Sequence, residues 1–131
     1  MTPARGSLHH VELQVRDLDA ALASWGWLLG ELGYAEETRW SAGATLRLGD
    51  AYLVIARAPR DVPHDRRGAG LSHLAFHAGS AADVERLWVA APEHGWAHLY
   101  VDRHPFAGGP DHRAAFLEDG ERMKVELVAD A

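Results

Sequence analysis

A chain of 131 residues has room for one domain of ordinary size, and a 47% hydrophobic fraction with five Trp, three Tyr and three Phe gives it a core rather than disorder. Its net charge is −6, and its twelve Arg and single Lys are scattered without a long basic run, which argues against nucleic acid as the main partner. The absence of Cys excludes disulfides, thiolate metal sites and cysteine nucleophiles, so any metal must be held by N and O ligands.

From the N-terminus, MTPARGSLHH lacks the apolar stretch of a signal peptide, and no segment approaches a membrane span. The expectation is a cytoplasmic protein with no membrane partner. Residues 10–15 (HVELQV) read as a strand leading into a turn at Arg16 and Asp17, where Asp17 or Asp19 can cap the helix that follows. Leu18, Leu22, Trp25, Leu29 and Leu32 then recur at helical spacing and predict one buried stripe. Gly33 stands where helices commonly stop in a left-handed conformation. A weakly marked strand is expected around Thr38–Trp40, then strands at 44–48 and 51–56 about a Gly49-Asp50 turn. The polar stretch from Arg57 to Gly70, with two Pro, reads as a linker.

Leu71–Trp96 then repeats the pattern of Leu8–Tyr34. Aligning His10 with His73 sets Val15 against Ala78, and Gly33 meets Gly95 after a slip of one residue. Ser80 is the natural cap of the second helix, Val84, Leu87, Trp88 and Ala91 form its stripe, and Pro92 should end or kink it early. Strands are expected at 97–102, 113–117 and 123–128. The whole reads as an α+β chain of two βαβββ modules, module one about 8–56 and module two about 71–129, in a single domain.

Strand alternation sorts the side chains. His10, Glu12 and Gln14 share one face of the first strand, with Val11, Leu13 and Val15 on the other, under the helix. The same parity sets His73, Ala75 and His77 opposite Leu74 and Phe76, and Lys124, Glu126 and Val128 opposite Val125 and Leu127.

The motifs HVELQVRD (His10–Asp17), HLAFHAGS (His73–Ser80) and AAFLEDGERMKVELV (Ala114–Val128), in this order, resemble the vicinal oxygen chelate superfamily. That group includes glyoxalase I, extradiol dioxygenases, fosfomycin-resistance enzymes and bleomycin-binding proteins. The resemblance implies two modules forming a curved mixed sheet around a cavity, with one divalent metal ion (Fe, Mn, Ni or Zn) held by His10, His73 and Glu126. It also implies a small-molecule substrate chelated through vicinal oxygens and a homodimer. The fourth family ligand position falls at about Val54, which cannot bind metal, and Ala115 stands where many relatives carry Tyr.

Glu12 and Glu126 are the candidate catalytic carboxylates. Glu12 could equally be a fourth ligand, a general base, a hydrogen-bond partner of His10 or an ion-pair partner of an Arg such as Arg113. Gln14, His77 and Arg113 are candidate substrate contacts, with His77 also readable as a surface residue at a sheet edge. The loop 102–113, carrying His104, His112 and Gly108-Gly109, reads either as a lid or as a plain exposed hairpin loop. Two functions follow: a metal-dependent lyase, isomerase or dioxygenase, or a non-catalytic module that sequesters an antibiotic or other aromatic molecule between its Trp side chains.

Overall fold

Alternation decides β1 (His10–Val15): Leu13 and Val15 are buried while His10, Glu12 and Gln14 stay exposed on the opposite face. The computed structural model describes residues 2–130, and the chain divides into two compact units, one ending at Val62 and the other beginning at Pro63. In the first unit β1 is followed by α1 (Leu18–Glu31), β2 (Ala35–Trp40), β3 (Gly43–Leu48) and β4 (Ala51–Arg57). The second unit holds β5 (His73–His77), α2 (Ala81–Ala90), β6 (Ala97–His98), β7 (Ala114–Glu118) and β8 (Lys124–Val128).

The two sheets have the same wiring. Their strand orders are β1-β4-β3-β2 and β5-β8-β7-β6, and in each the first and last strands of the unit pair in parallel while the other pairs are antiparallel. The repeat read from the sequence is therefore a repeat of topology, α+β with two βαβββ units, and each unit owns a four-stranded mixed sheet. The local signals act as expected. Asp17 caps α1 by accepting from the Ala20 N–H. Gly33 and Gly95 both turn left-handed, at φ 97° and 86°, and a short 3-10 turn carrying Pro92 follows α2.

Three expectations shift. β2 runs the full length Ala35–Trp40 rather than from Thr38, and every residue in it is exposed, so no apolar alternation marks its start. β6 stops after two residues instead of reaching position 102, because Tyr100 adopts φ 55° and carries the chain out of the ladder just after the Leu99 N–H meets the Phe116 carbonyl. The buried arc of α1 is rotated toward Ala21, Ser24 and Leu28, leaving Leu22 and Leu32 half-buried. Ser24 tolerates that position because its hydroxyl donates to the carbonyls of Ala20 and Ala21.

Each unit has its own core. Trp25, Leu28, Leu29 and Ile55 fill the first, and Val84, Leu87, Leu117, Val125 and Leu127 the second. Trp25 is 1% exposed, and Trp25→Ala should cost about 3–5 kcal/mol by lost burial and a residual cavity, measured by urea unfolding. In the capping box of α2, the Ser80 N–H donates to the Asp83 carboxylate and the Asp83 N–H to the Ser80 hydroxyl. These bonds hold the Asp83 carboxyl below its ordinary value of 3.8. Because the folded-state value is the lowered one, the cap stabilises fully above the ordinary value and is lost as pH falls through the lowered one. Amide protection factors in the first turn of α2, taken relative to intrinsic exchange at each pH, should therefore fall on acidification in the wild type, and Asp83→Asn should remove that fall.

Candidate functional site

In the second unit, register brings the chemistry onto one sheet face. Glu126 lies directly opposite Phe116 on β7 and beside Ala75 on β5, and Lys124 lies opposite Glu118 and beside His73. The neighbouring parity, Ala115, Leu117, Val125 and Leu127, is fully buried. The open face thus carries His73, Phe116, Lys124 and Glu126, as strand alternation predicts.

Glu126 is its centre. The side chain is 10% exposed, and both carboxylate oxygens are engaged. His73 Nε2 stands 3.1 Å from Oε1, and His112 Nε2 bonds Oε2. The His73 ring is steered from behind, since its Nδ1 is 3.0 Å from the Ser72 hydroxyl, and its edge meets the Phe116 ring at 6.2 Å. Across Phe116 stands Tyr100, in edge contact at 5.3 Å, its hydroxyl accepting a 3.1 Å bond from Lys124 Nζ. His112 and Tyr100 are the residues that sequence reasoning missed as site members. The Gly108-Gly109 pair held the signal for His112: a Cβ at Gly108 would stand 2.5 Å from the His112 ring, so only glycine leaves that ring its place.

Other candidates in this unit lie elsewhere. His77 is 87% exposed and bonds Asp130 at 2.7 Å. Arg113 is exposed and lies over the Phe106 ring at 5.0 Å. The loop 102–113 is fastened to α2: His104 stacks flat on Trp88 at 3.7 Å and bonds Glu85 at 2.8 Å. His98 stacks on the same indole, also at 3.7 Å, while donating to the Trp88 carbonyl.

In the first unit, His10, Glu12 and Gln14 run beside Tyr52, Val54 and Ala56. The His10 ring stacks on Tyr52 at 4.8 Å with an interplanar angle of 5°, and its Nδ1 is 2.9 Å from His9 Nδ1, which leaves Nε2 for a ligand. Glu12 accepts from Gln14 at 3.2 Å. Val54 sits directly beside Glu12. The corresponding pair in the second unit is Ala75 beside Glu126. Each unit therefore presents one carboxylate and one apolar residue at the same cross-strand pair, on exchanged strands.

The donor set suits a divalent ion. Two ligands each about 2.1 Å from one ion at right angles stand about 3 Å apart, and His73 Nε2 and Glu126 Oε1 have that spacing. The imidazoles of His73 and His112 bear on different carboxylate oxygens, and among the described residues no three His, Asp or Glu side chains form a ready-made cage. His73 and Glu126 are thus the ligand candidates of this unit, and His112 is the group that fixes Glu126 from its far side.

Comparison with known proteins adds the family context. A model of the Glyoxalase/Bleomycin resistance protein/Dioxygenase superfamily matches residues 9–116. An uncharacterised protein of Bacillus subtilis (strain 168), YqjT, is 47% identical over 125 residues, covering 93% of this chain and 98% of its own. The crystal structure of a candidate glyoxalase from Bacillus halodurans is similar with a TM-score of 0.91 at 48% identity, over 95% of this chain and 96% of that one. The fosfomycin resistance protein FosX of Listeria monocytogenes, complexed with Mn(II) and 1S,2S-dihydroxypropylphosphonic acid, has a TM-score of 0.70 at 19% identity, over 98% of this chain and 93% of that one. That last likeness is one of fold.

The His112 bond supports a carboxylate that has little water around it, so His112→Ala should destabilise the protein by about 1–3 kcal/mol in urea unfolding. Gly108→Ala should act in the same direction, and the His112 ring resonances should move in NMR spectra because the new methyl group occupies the ring's place.

Proposed function

We propose that this chain, which belongs to the Glyoxalase/Bleomycin resistance protein/Dioxygenase superfamily, is a metal-dependent enzyme acting on a small molecule through two vicinal oxygens. The reaction is of the lyase, isomerase or dioxygenase class. The observation that carries this reading is the His73–Glu126 pair, a half-buried imidazole 3.1 Å from a largely buried carboxylate on adjacent parallel strands. Such a carboxylate is costly to keep out of water unless charge or hydrogen bonds compensate it.

In this reading His10, His73 and Glu126 hold one divalent ion, of Fe, Mn, Ni or Zn. When bound, such an ion polarises substrate oxygens and stabilises negative charge developing on them. The protein's own residues do the rest. Ser72 orients the His73 ring, and His112 holds the second oxygen of Glu126, so that the carboxylate keeps one rotamer. Glu12, exposed on the face it shares with His10 and about 7 Å along the strand, is the candidate base for a substrate proton, with Gln14 placed to orient its carboxylate. His77 and Arg113, being turned to Asp130 and Phe106, have the weaker claim to substrate contact. The bound ion in the FosX structure makes Mn(II) the natural first ion to supply.

An antibiotic-sequestering role finds less support. Trp25, Trp88 and Trp96 are all buried in the cores of their units, which leaves Trp27 and the exposed Trp40 for a sandwich of the kind that role requires. Among the described residues no helix is long and apolar enough to cross a membrane. In the proposed setting the protein is a cytoplasmic homodimer, checked by fractionation and light scattering.

The test is elemental analysis of untagged protein after exposure to Mn(II), Fe(II), Ni(II) and Zn(II), comparing wild type with Glu126→Gln and His73→Ala. Near-stoichiometric metal in wild type and little in either variant is expected. The loaded form is then assayed with hemithioacetals, catechols, epoxides and 2-oxo acids. No metal in wild type under any of these conditions sinks the enzyme reading and turns attention to ligand binding without metal.

A further inference from the structure

A second polar site lies in the unit that begins at Pro63, away from the His73–Glu126 pair. A cavity of about 510 Å³ is lined by His64, Asp65, Arg66, Arg67 and Arg122. Its lining is mostly basic, with three guanidiniums and one carboxylate, Asp65, while Glu118 holds Arg66 from outside the lining.

The cavity is built rather than incidental. Arg66, only 13% exposed, is clamped by Glu118 at 2.5 Å and by the Arg122 carbonyl at 2.8 Å, so it forms a fixed wall. Arg122 adopts φ 67°, a left-handed conformation uncommon outside glycine. The turn that imposes it is organised by the buried carboxylate of Asp119, whose Oδ1 accepts from the N–H groups of Glu121 and Met123, both at 2.9 Å. The Arg122 side chain projects 69% exposed, its Nε 3.8 Å from Glu118. Arg67 is exposed and forms no ion pair among the described residues. Two exposed guanidiniums and a third held by Glu118, with an imidazole in the same lining, make a fork-rich surface suited to a planar or tetrahedral oxyanion.

We propose that this cavity binds the carboxylate or phosphoryl group of a small-molecule ligand. Its position extends the proposed enzyme reading and, for that extension alone, depends on it. Glu118, which holds Arg66, shares the sheet face of Glu126 and lies opposite Lys124, two residues along β8 from Glu126. Strand rise and spacing set the guanidiniums roughly 10–15 Å from the Glu126 carboxylate. The substrate class that fits both sites is a small molecule with vicinal oxygens at one end and an acidic group at the other.

The test uses the metal-free 131-residue chain, so that it does not depend on metal binding. Sodium phosphate and sodium malonate are titrated separately and followed by 1H–15N NMR of backbone amides and arginine Nε–H groups, against sodium chloride at matched ionic strength. Saturable shifts at His64, Arg66, Arg67 and Arg122 with phosphate or malonate are expected, and none with chloride. The anion that saturates at lower concentration identifies a phosphoryl or a carboxylate ligand. Arg67→Gln combined with Arg122→Gln, both on exposed side chains, should weaken that binding roughly tenfold or more while leaving the resonances around Glu126 in place. Shifts that track chloride, or unchanged affinity in the double variant, overturn the proposal. Failure of metal to bind at Glu126 in the separate analysis overturns the enzyme reading and leaves the anion result standing.

Discussion

The site depends on a carboxylate that the sheet withdraws from water. Glu126 is flanked on β8 by Val125 and Leu127, both fully buried against the helix side, and strand alternation turns the charge to the other face. There Phe116 is its cross-strand neighbour, and Glu126 is left only 8% exposed. A charge in that setting is tolerated only if its oxygens are satisfied, and the unit satisfies one with each of two imidazoles, His73 at the start of β5 and His112 just before β7. The arrangement fixes more than the carboxylate. It ties the edge strand β5 to the long loop entering β7, and it explains why that loop is anchored at both ends, by His112 on the sheet and by His104 on α2.

Much of this was legible in the sequence because it rests on periodicity. Alternation alone placed His10, Glu12, His73 and Glu126 on their faces, and the matched sequence Asp17, Gly33 against Ser80, Gly95 announced the duplication. Legibility failed where structure is held by something other than pattern. The start of β2 has no buried residue to mark it, and the truncation of β6 follows from the left-handed Tyr100, a conformation that Tyr does not advertise. His112 lies in a loop, so no parity rule reached it. Its place is set by the missing Cβ of Gly108 and by a contact made across 14 residues of sequence.

The histidines show how little a residue type says by itself. His98 and His104 sandwich an indole and serve the packing of α2 against the loop, His77 pairs with Asp130 at the surface, and His10 leans on Tyr52 with a nitrogen left for a ligand. What separates His73 and His112 from the rest is the carboxylate of Glu126 that each ring meets in the fold, which composition does not disclose.

The exchanged pairs, Glu12 beside Val54 and Ala75 beside Glu126, have a wider meaning for a duplicated fold. In a parallel strand pair the two members of a rung project onto the same patch, so a functional carboxylate can migrate from one strand to its neighbour and remain within a side chain's length of where it began. The two halves can then diverge in which strand carries the acid without losing an acidic patch. A column of aligned sequences would score such an exchange as two unrelated substitutions, one losing a ligand and one gaining a surface charge. On the sheet it is a single acid moved by one strand.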